Sequence, residues 1–92
     1  MKILTSDKAI ASVLTNSVLV STKTISKFEG DMQVRAIVGT RELVHKAENI
    51  NFPELKFVQL LSAGFEGVDI EKYRSRGVMV SNAANVYGTG MA

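Results

Sequence analysis

Phe57-Val58-Gln59-Leu60-Leu61-Ser62-Ala63-Gly64-Phe65-Glu66-Gly67-Val68-Asp69 is the stretch on which the reading of this chain turns. A largely apolar run, Phe57 to Leu61, breaks into Ser62-Ala63-Gly64 and then reaches Asp69, a residue suited to start a helix. An apolar run of that length, closed by small residues and followed by a helix signal, predicts a buried parallel strand feeding a loop. In open α/β sheets the loop at the carboxyl end of a strand is where ligands bind. Gly64 and Gly67 allow a tight turn and a close approach to a partner. Small residues also leave amide N–H groups exposed, which suits an anion such as a carboxylate. An ordinary β-to-α connection is the plainer reading of the same spacing.

Downstream, a helix is expected over about 69–76. Asp69 stands at its N-cap, Glu71 in its first turn, Arg74 and Arg76 in its last, and Gly77 just beyond. Those charges complement the helix dipole, and the glycine suits a left-handed terminating residue. Ile70 and Tyr73, three apart, would pack on the sheet, and Val78-Met79-Val80 reads as the last strand. The remainder, Asn82 to Ala92, is small, Gly-rich and linker-like.

Upstream, Val34–Val38 reads as a buried strand ended by Gly39-Thr40. Thr40 then caps a helix to about Ala47, with Leu43, Val44 and Ala47 facing inward. Lys2–Thr5 reads as the first strand. Asp7 caps a short helix whose apolar positions are Ile10, Val13 and Leu14, and Val18–Val20 is a second strand. Residues 21–33 carry no readable pattern. Strands alternating with short helices imply a parallel sheet with right-handed crossovers. The fold expected is α/β, a flavodoxin-like sheet of about five strands with short flanking helices.

Composition narrows the function classes. Ninety-two residues make one small domain at most, and 46% hydrophobic with 22% charged residues describes an ordinary globular chain. The net charge of +2 comes from scattered basic residues rather than a patch, which argues against a nucleic-acid face. Zero cysteines exclude disulfides and thiolate metal sites. The amino-terminal apolar stretch is too short for a signal peptide or a membrane span, so a cytoplasmic location is expected.

The stretch Leu55 to Asp69, with Ile70 to Gly77, Val78-Met79-Val80-Ser81-Asn82-Ala83 and Met91-Ala92, resembles the central motif of the D-isomer-specific 2-hydroxyacid dehydrogenases. The resemblance is good over roughly 34–92 and loose before that. It implies an NAD- or NADP-dependent parent enzyme that moves a hydride between nicotinamide and C2 of a 2-hydroxy or 2-oxo acid. It also implies that residues 1–87 are the amino-terminal part of the substrate-binding domain. Residues 88–92 would begin the hinge into the nucleotide-binding domain, which is the rest of the same polypeptide. The parent is expected to be a homodimer, with neither nucleic acid nor membrane as partner. By the same resemblance, Ser62, Ala63 and Gly64 hold the substrate carboxylate through backbone amides, and Phe65 lines the pocket or packs in the core. Arg41 meets acidic substrates, and Met91 lies near the nicotinamide.

His45, the only histidine, is expected on the surface. The family's catalytic histidine, with its arginine and glutamate partners, lies farther along the family's chain than these residues reach. No catalytic residue and no metal site is therefore expected here, nor cofactor binding or turnover by the 92 residues alone. Gly88-Thr89-Gly90 stands too far from Val80-Ser81 for a dinucleotide fingerprint, which opens directly after a strand. The alternative is a stand-alone, non-catalytic flavodoxin-like ligand-binding or regulatory module. A receiver domain in particular fails on residues: Asp7 is single, Gly39-Thr40-Arg41 holds no acid, and Ser81-Asn82 holds no lysine.

Overall fold

The structure, a computed structural model, describes residues 1–62, 64 and 66–82 and the backbone of 86–87. Its strands are β1 (Lys2–Thr5), β2 (Ser17–Leu19), β3 (Val34–Gly39), β4 (Phe57–Leu60), β5 (Met79–Ser81) and β6 (Val86–Tyr87). The helices are α1 (Lys8–Val13), α2 (Arg41–Ala47) and α3 (Ile70–Arg74), with a 3-10 helix at Ile25–Phe28. The sheet order is β2-β1-β3-β4-β5-β6, and every pairing from β2 to β5 is parallel. This five-stranded parallel sheet with flanking helices is the flavodoxin-like arrangement expected.

β6 is an addition. Val86 and Tyr87 pair antiparallel with Ser81 and Val80, inside the stretch read from sequence as a linker. Two residues are too few to show an alternation, so no pattern marked them.

Parallel register builds the core row by row. Leu4, Ile37, Val58 and Val80 stand side by side across four strands, and all four are fully buried. One position earlier, the row Ile3, Ala36, Phe57 and Met79 points to the opposite face and is half-buried. Handedness explains the difference. With this strand order, right-handed crossovers place α1 on one face and the 3-10 helix, α2 and α3 on the other. The fuller layer therefore lies over the Leu4 row.

Each helix starts where its cap is. Asp7 accepts from the amides of Ala9 (2.8 Å) and Ile10 (3.2 Å), Thr40 Oγ1 from Leu43 N (3.4 Å), and Asp69 Oδ1 from Lys72 N (3.2 Å). Leu43, Val44 and Ala47 are buried as expected, and so is Tyr73. Helix α1 buries no residue, and Val13 is 74% exposed, because its periodic apolar face lies on the thinner layer. One expectation is corrected. Helix α3 ends at Arg74, short of Arg76, whose guanidinium instead donates to the carbonyls of Glu48 (2.6 Å) and Ile50 (3.4 Å). Gly77 does take a positive φ of 76°. The unreadable segment 21–33 contributes Ile25, fully buried from the 3-10 helix. Among the described residues no helix is long and apolar enough to cross a membrane.

Candidate substrate-binding site

The site forms where β3 and β4, paired in register to Gly39 and Leu60, release their chains at the same edge of the sheet. From β3 the chain passes through Thr40 into α2, so Arg41 stands at the first position of that helix. From β4 it passes through Leu61 and Ser62 toward Gly64. Leu61 N is held by Gly39 O at 3.0 Å, which keeps the two exits together.

Arg41 meets the β4 loop directly. A methyl group built on the Gly64 Cα would lie 3.7 Å from Arg41 Nη1, so the guanidinium faces the bare side of that glycine. Ser62 Oγ donates to the Gly64 carbonyl at 3.3 Å, closing the loop on itself. Gly67 has a φ of +81° with nothing within 4 Å of where a Cβ would stand. Backbone conformation, rather than crowding, is what calls for glycine there. Two clefts flank the arginine. One, of about 210 Å³, is lined by Thr40, Arg41, Glu42, Leu61 and Ser62. The other, of about 350 Å³, is lined by Arg41, Glu42, His45, Glu66 and Gly67.

The charges around these clefts are mixed. Glu66, 91% exposed at its side chain, approaches Arg41 Nη1 at 3.6 Å, a solvated ion pair of small energy. The Glu42 carboxyl is held below its ordinary range, first by its own backbone amide and then by the Thr40 hydroxyl. Arg41 is the one cation lining both clefts among the described residues, and Glu66 is its ion-pair partner there.

Of the residues expected to bind substrate, the structure brings Arg41, Ser62 and Gly64 together. Ala63, Phe65, Met91 and the expected hinge 88–92 lie outside the described residues. His45 is exposed as expected (62% at its side chain) yet lines the larger cleft, with Nδ1 3.3 Å from Glu48 Oε2. Thr40, Glu42 and Leu61 were not singled out as site residues. Their signal was their position beside strand ends, where loop residues carry function disproportionately. Glu48 was missed altogether: it is 5% exposed, and a glutamate beside Asn49 in a connection looks solvated. Among the described residues no group of His, Asp or Glu side chains could hold a metal ion.

The described turns do not fit a dinucleotide. The β1–α1 turn, Ser6-Asp7, has no glycine. At Gly39 an added Cβ would come within 2.6 Å of Leu43 Cδ2 and 2.9 Å of Ser6 Oγ, so that glycine serves packing rather than a pyrophosphate.

A family model described as D-isomer specific 2-hydroxyacid dehydrogenase, catalytic domain, matches residues 3–92. The chain belongs to this family. Among solved structures it is similar to the apo-structure of D-lactate dehydrogenase from Escherichia coli, at a TM-score of 0.54 and 17% identity. That likeness bears on the fold alone. The match covers 92% of this chain and 31% of the other, so the chain spans about a third of the length of that protein. No curated protein matches it. The family expected from the resemblance over roughly 34–92 is thereby shown.

Proposed function

We propose that this chain is the amino-terminal part of the substrate-binding domain of an NAD(P)-dependent D-2-hydroxyacid dehydrogenase, with residues 88–92 opening the hinge to a nucleotide-binding domain. The loop after β4 receives the carboxylate of the 2-oxo or 2-hydroxy acid through amides around Ala63 and Gly64. Ser62 shapes that loop, Arg41 supplies the positive charge beside it, and Phe65 walls the pocket. The observation that carries this reading is the Arg41 guanidinium against the bare face of Gly64, at the carboxyl ends of adjacent parallel strands. A cation beside a side-chain-free stretch of backbone suits a small anion better than a bulky or neutral ligand.

The hydride step belongs to the parent protein, in which nicotinamide carries the chemistry and the protein orients and polarises. A histidine–glutamate pair and an arginine outside these residues would move the proton and polarise the oxo group, and Met91 would border the nicotinamide. The assembled parent works as a soluble homodimer on a small-molecule acid.

Titration of the 15N-labelled chain with pyruvate tests the site. Pyruvate is expected to move the Ser62 and Gly64 amide resonances saturably. Arg41→Gln is expected to weaken binding about tenfold, the scale of one charge-assisted hydrogen bond. Shifts confined to other regions, or an unaltered affinity in Arg41→Gln, would overturn the assignment. NADH oxidation by the 92-residue chain with pyruvate would overturn the expectation that it is inactive alone.

A further inference from the structure

We propose that Glu48 is a positioning residue for the β4–α3 loop, completing from another helix the cap that fixes the loop's end. Its carboxylate is nearly buried, at 6% exposure, and Oε2 accepts the Asp69 amide at 2.7 Å. A buried carboxylate is costly unless hydrogen-bonded, so its place at the end of α2 asks for a reason.

Asp69 supplies that reason. It is the N-cap of α3, and its own side chain accepts Lys72 N. In a capping box the residue three positions into the helix reaches back to accept the N-cap amide. Here that residue is Lys72, which has donors only. Lys72 points instead to Asn49 Oδ1 at 2.7 Å. Glu48, 21 residues before Asp69, takes the missing acceptor role.

The consequence reaches the site because one helix touches the loop twice. Arg41, at the start of α2, lies beside Gly64, and Glu48, just past its end, holds Asp69. Helix α2 is a rigid rod rising about 1.5 Å per residue, so it sets the distance between these two contacts, at Gly64 and at Asp69. Other bonds already tie α3 to α2: the Tyr73 hydroxyl to the Val44 carbonyl, and Arg76 to the Glu48 and Ile50 carbonyls. Loss of the Glu48 carboxylate therefore leaves α3 docked and frees the loop end.

The test compares wild type, Glu48→Gln, Glu48→Ala and Glu48→Ala/Lys72→Glu as 15N-labelled chains. In Glu48→Ala the Asp69, Ser62 and Gly64 amides are expected to shift and to exchange at least about tenfold faster, as for a locally opened segment. Pyruvate affinity is expected to fall about tenfold, through lost preorganisation. Glu48→Gln keeps a carbonyl acceptor of the same length and is expected to restore most of both. Lys72→Glu supplies the acceptor locally and is expected to restore the loop in the Glu48→Ala background, including when Glu48→Ala alone does not fold. A folded Glu48→Ala chain with unmoved loop amides, or a double variant without rescue, would overturn the proposal. Its ligand readout rests on the carboxylate-binding reading of the loop. If wild type ignores pyruvate, that reading fails, and the amide exchange still judges Glu48.

Discussion

Helices α1 and α2 leave neighbouring strands at the same edge of the sheet, and their fates differ. Helix α1 has the better cap, with two amides on Asp7, and buries no residue. Helix α2 has a single long bond to Thr40 and buries Leu43, Val44 and Ala47 completely. Capping thus fixes where a helix begins, while the layer it joins fixes what it contributes. α2 shares its face of the sheet with α3 and the 3-10 helix, and α1 lies on the other.

The largest expected effect is in α2. Leu43→Ala should cost about 3 kcal/mol in urea unfolding, the range for a buried leucine that leaves a cavity. A cost below about 1 kcal/mol would break the comparison, because it would put Leu43 on the scale of a surface residue. Gly39 sharpens it. An alanine there meets Leu43 Cδ2, so Gly39→Ala should cost less in the Leu43→Ala background than in wild type.

Tyr73 gives the next effect, at the α2–α3 seam. Tyr73→Phe deletes the hydroxyl that donates to Val44 O and should cost about 1 kcal/mol at neutral pH. Burial first, and the Glu48 carboxylate second, raise the Tyr73 phenol well above its ordinary value. Above the unfolded phenol's pKa of about 10, the unfolded state gives up a proton that the folded state keeps. Stability then falls as pH rises, by up to about 1.4 kcal/mol per pH unit. Below that pH the contribution is fully present. The gap between wild type and Tyr73→Phe should therefore narrow above pH 10, which unfolding curves at successive pH values would show.

Asp7→Ala should cost about 1 kcal/mol or less, the usual value of a lost N-cap. Its signature is local: amides of α1 should exchange faster while those of α2 keep their protection. Equal loss of protection in both helices would mean that α1 is integrated into the core after all.

Much of this was legible because short-range chemistry wrote it. Asp7, Thr40 and Asp69 marked helix starts, and Val34–Val38 and Phe57–Leu61 read as buried strands because each is a short, largely apolar run, broken only by Arg35 and Gln59, that is closed by a turn signal. The family was legible in the motif that runs from Leu55 through Gly77. What was hidden depended on contacts between distant residues. Glu48 acquires its role only when α3 is folded beside it, Ile25 is a single apolar residue in a polar run, and Arg76 looked like a helix-end charge until its carbonyl partners came into place. At the site, Arg41 and Gly64 were nominated separately, and only the pairing of β3 with β4 shows that they face each other.

Val13 makes the smallest prediction and the sharpest test of the comparison. Its apolar character fits the helical period as well as that of Leu43, and periodicity alone would rank the two alike. Yet it is 74% exposed, with Leu14 38% exposed beside it, and both border an apolar groove with Ala9, Ile10 and Val38. Burial, not pattern, sets the cost of losing a methyl group, so Val13→Ser should change unfolding free energy by less than about 0.5 kcal/mol in the isolated chain. A loss above about 1.5 kcal/mol would mean that Val13 is covered in solution, since that is the scale of burying one valine. Dependence of that loss on protein concentration would then separate cover by a second copy from cover within the chain.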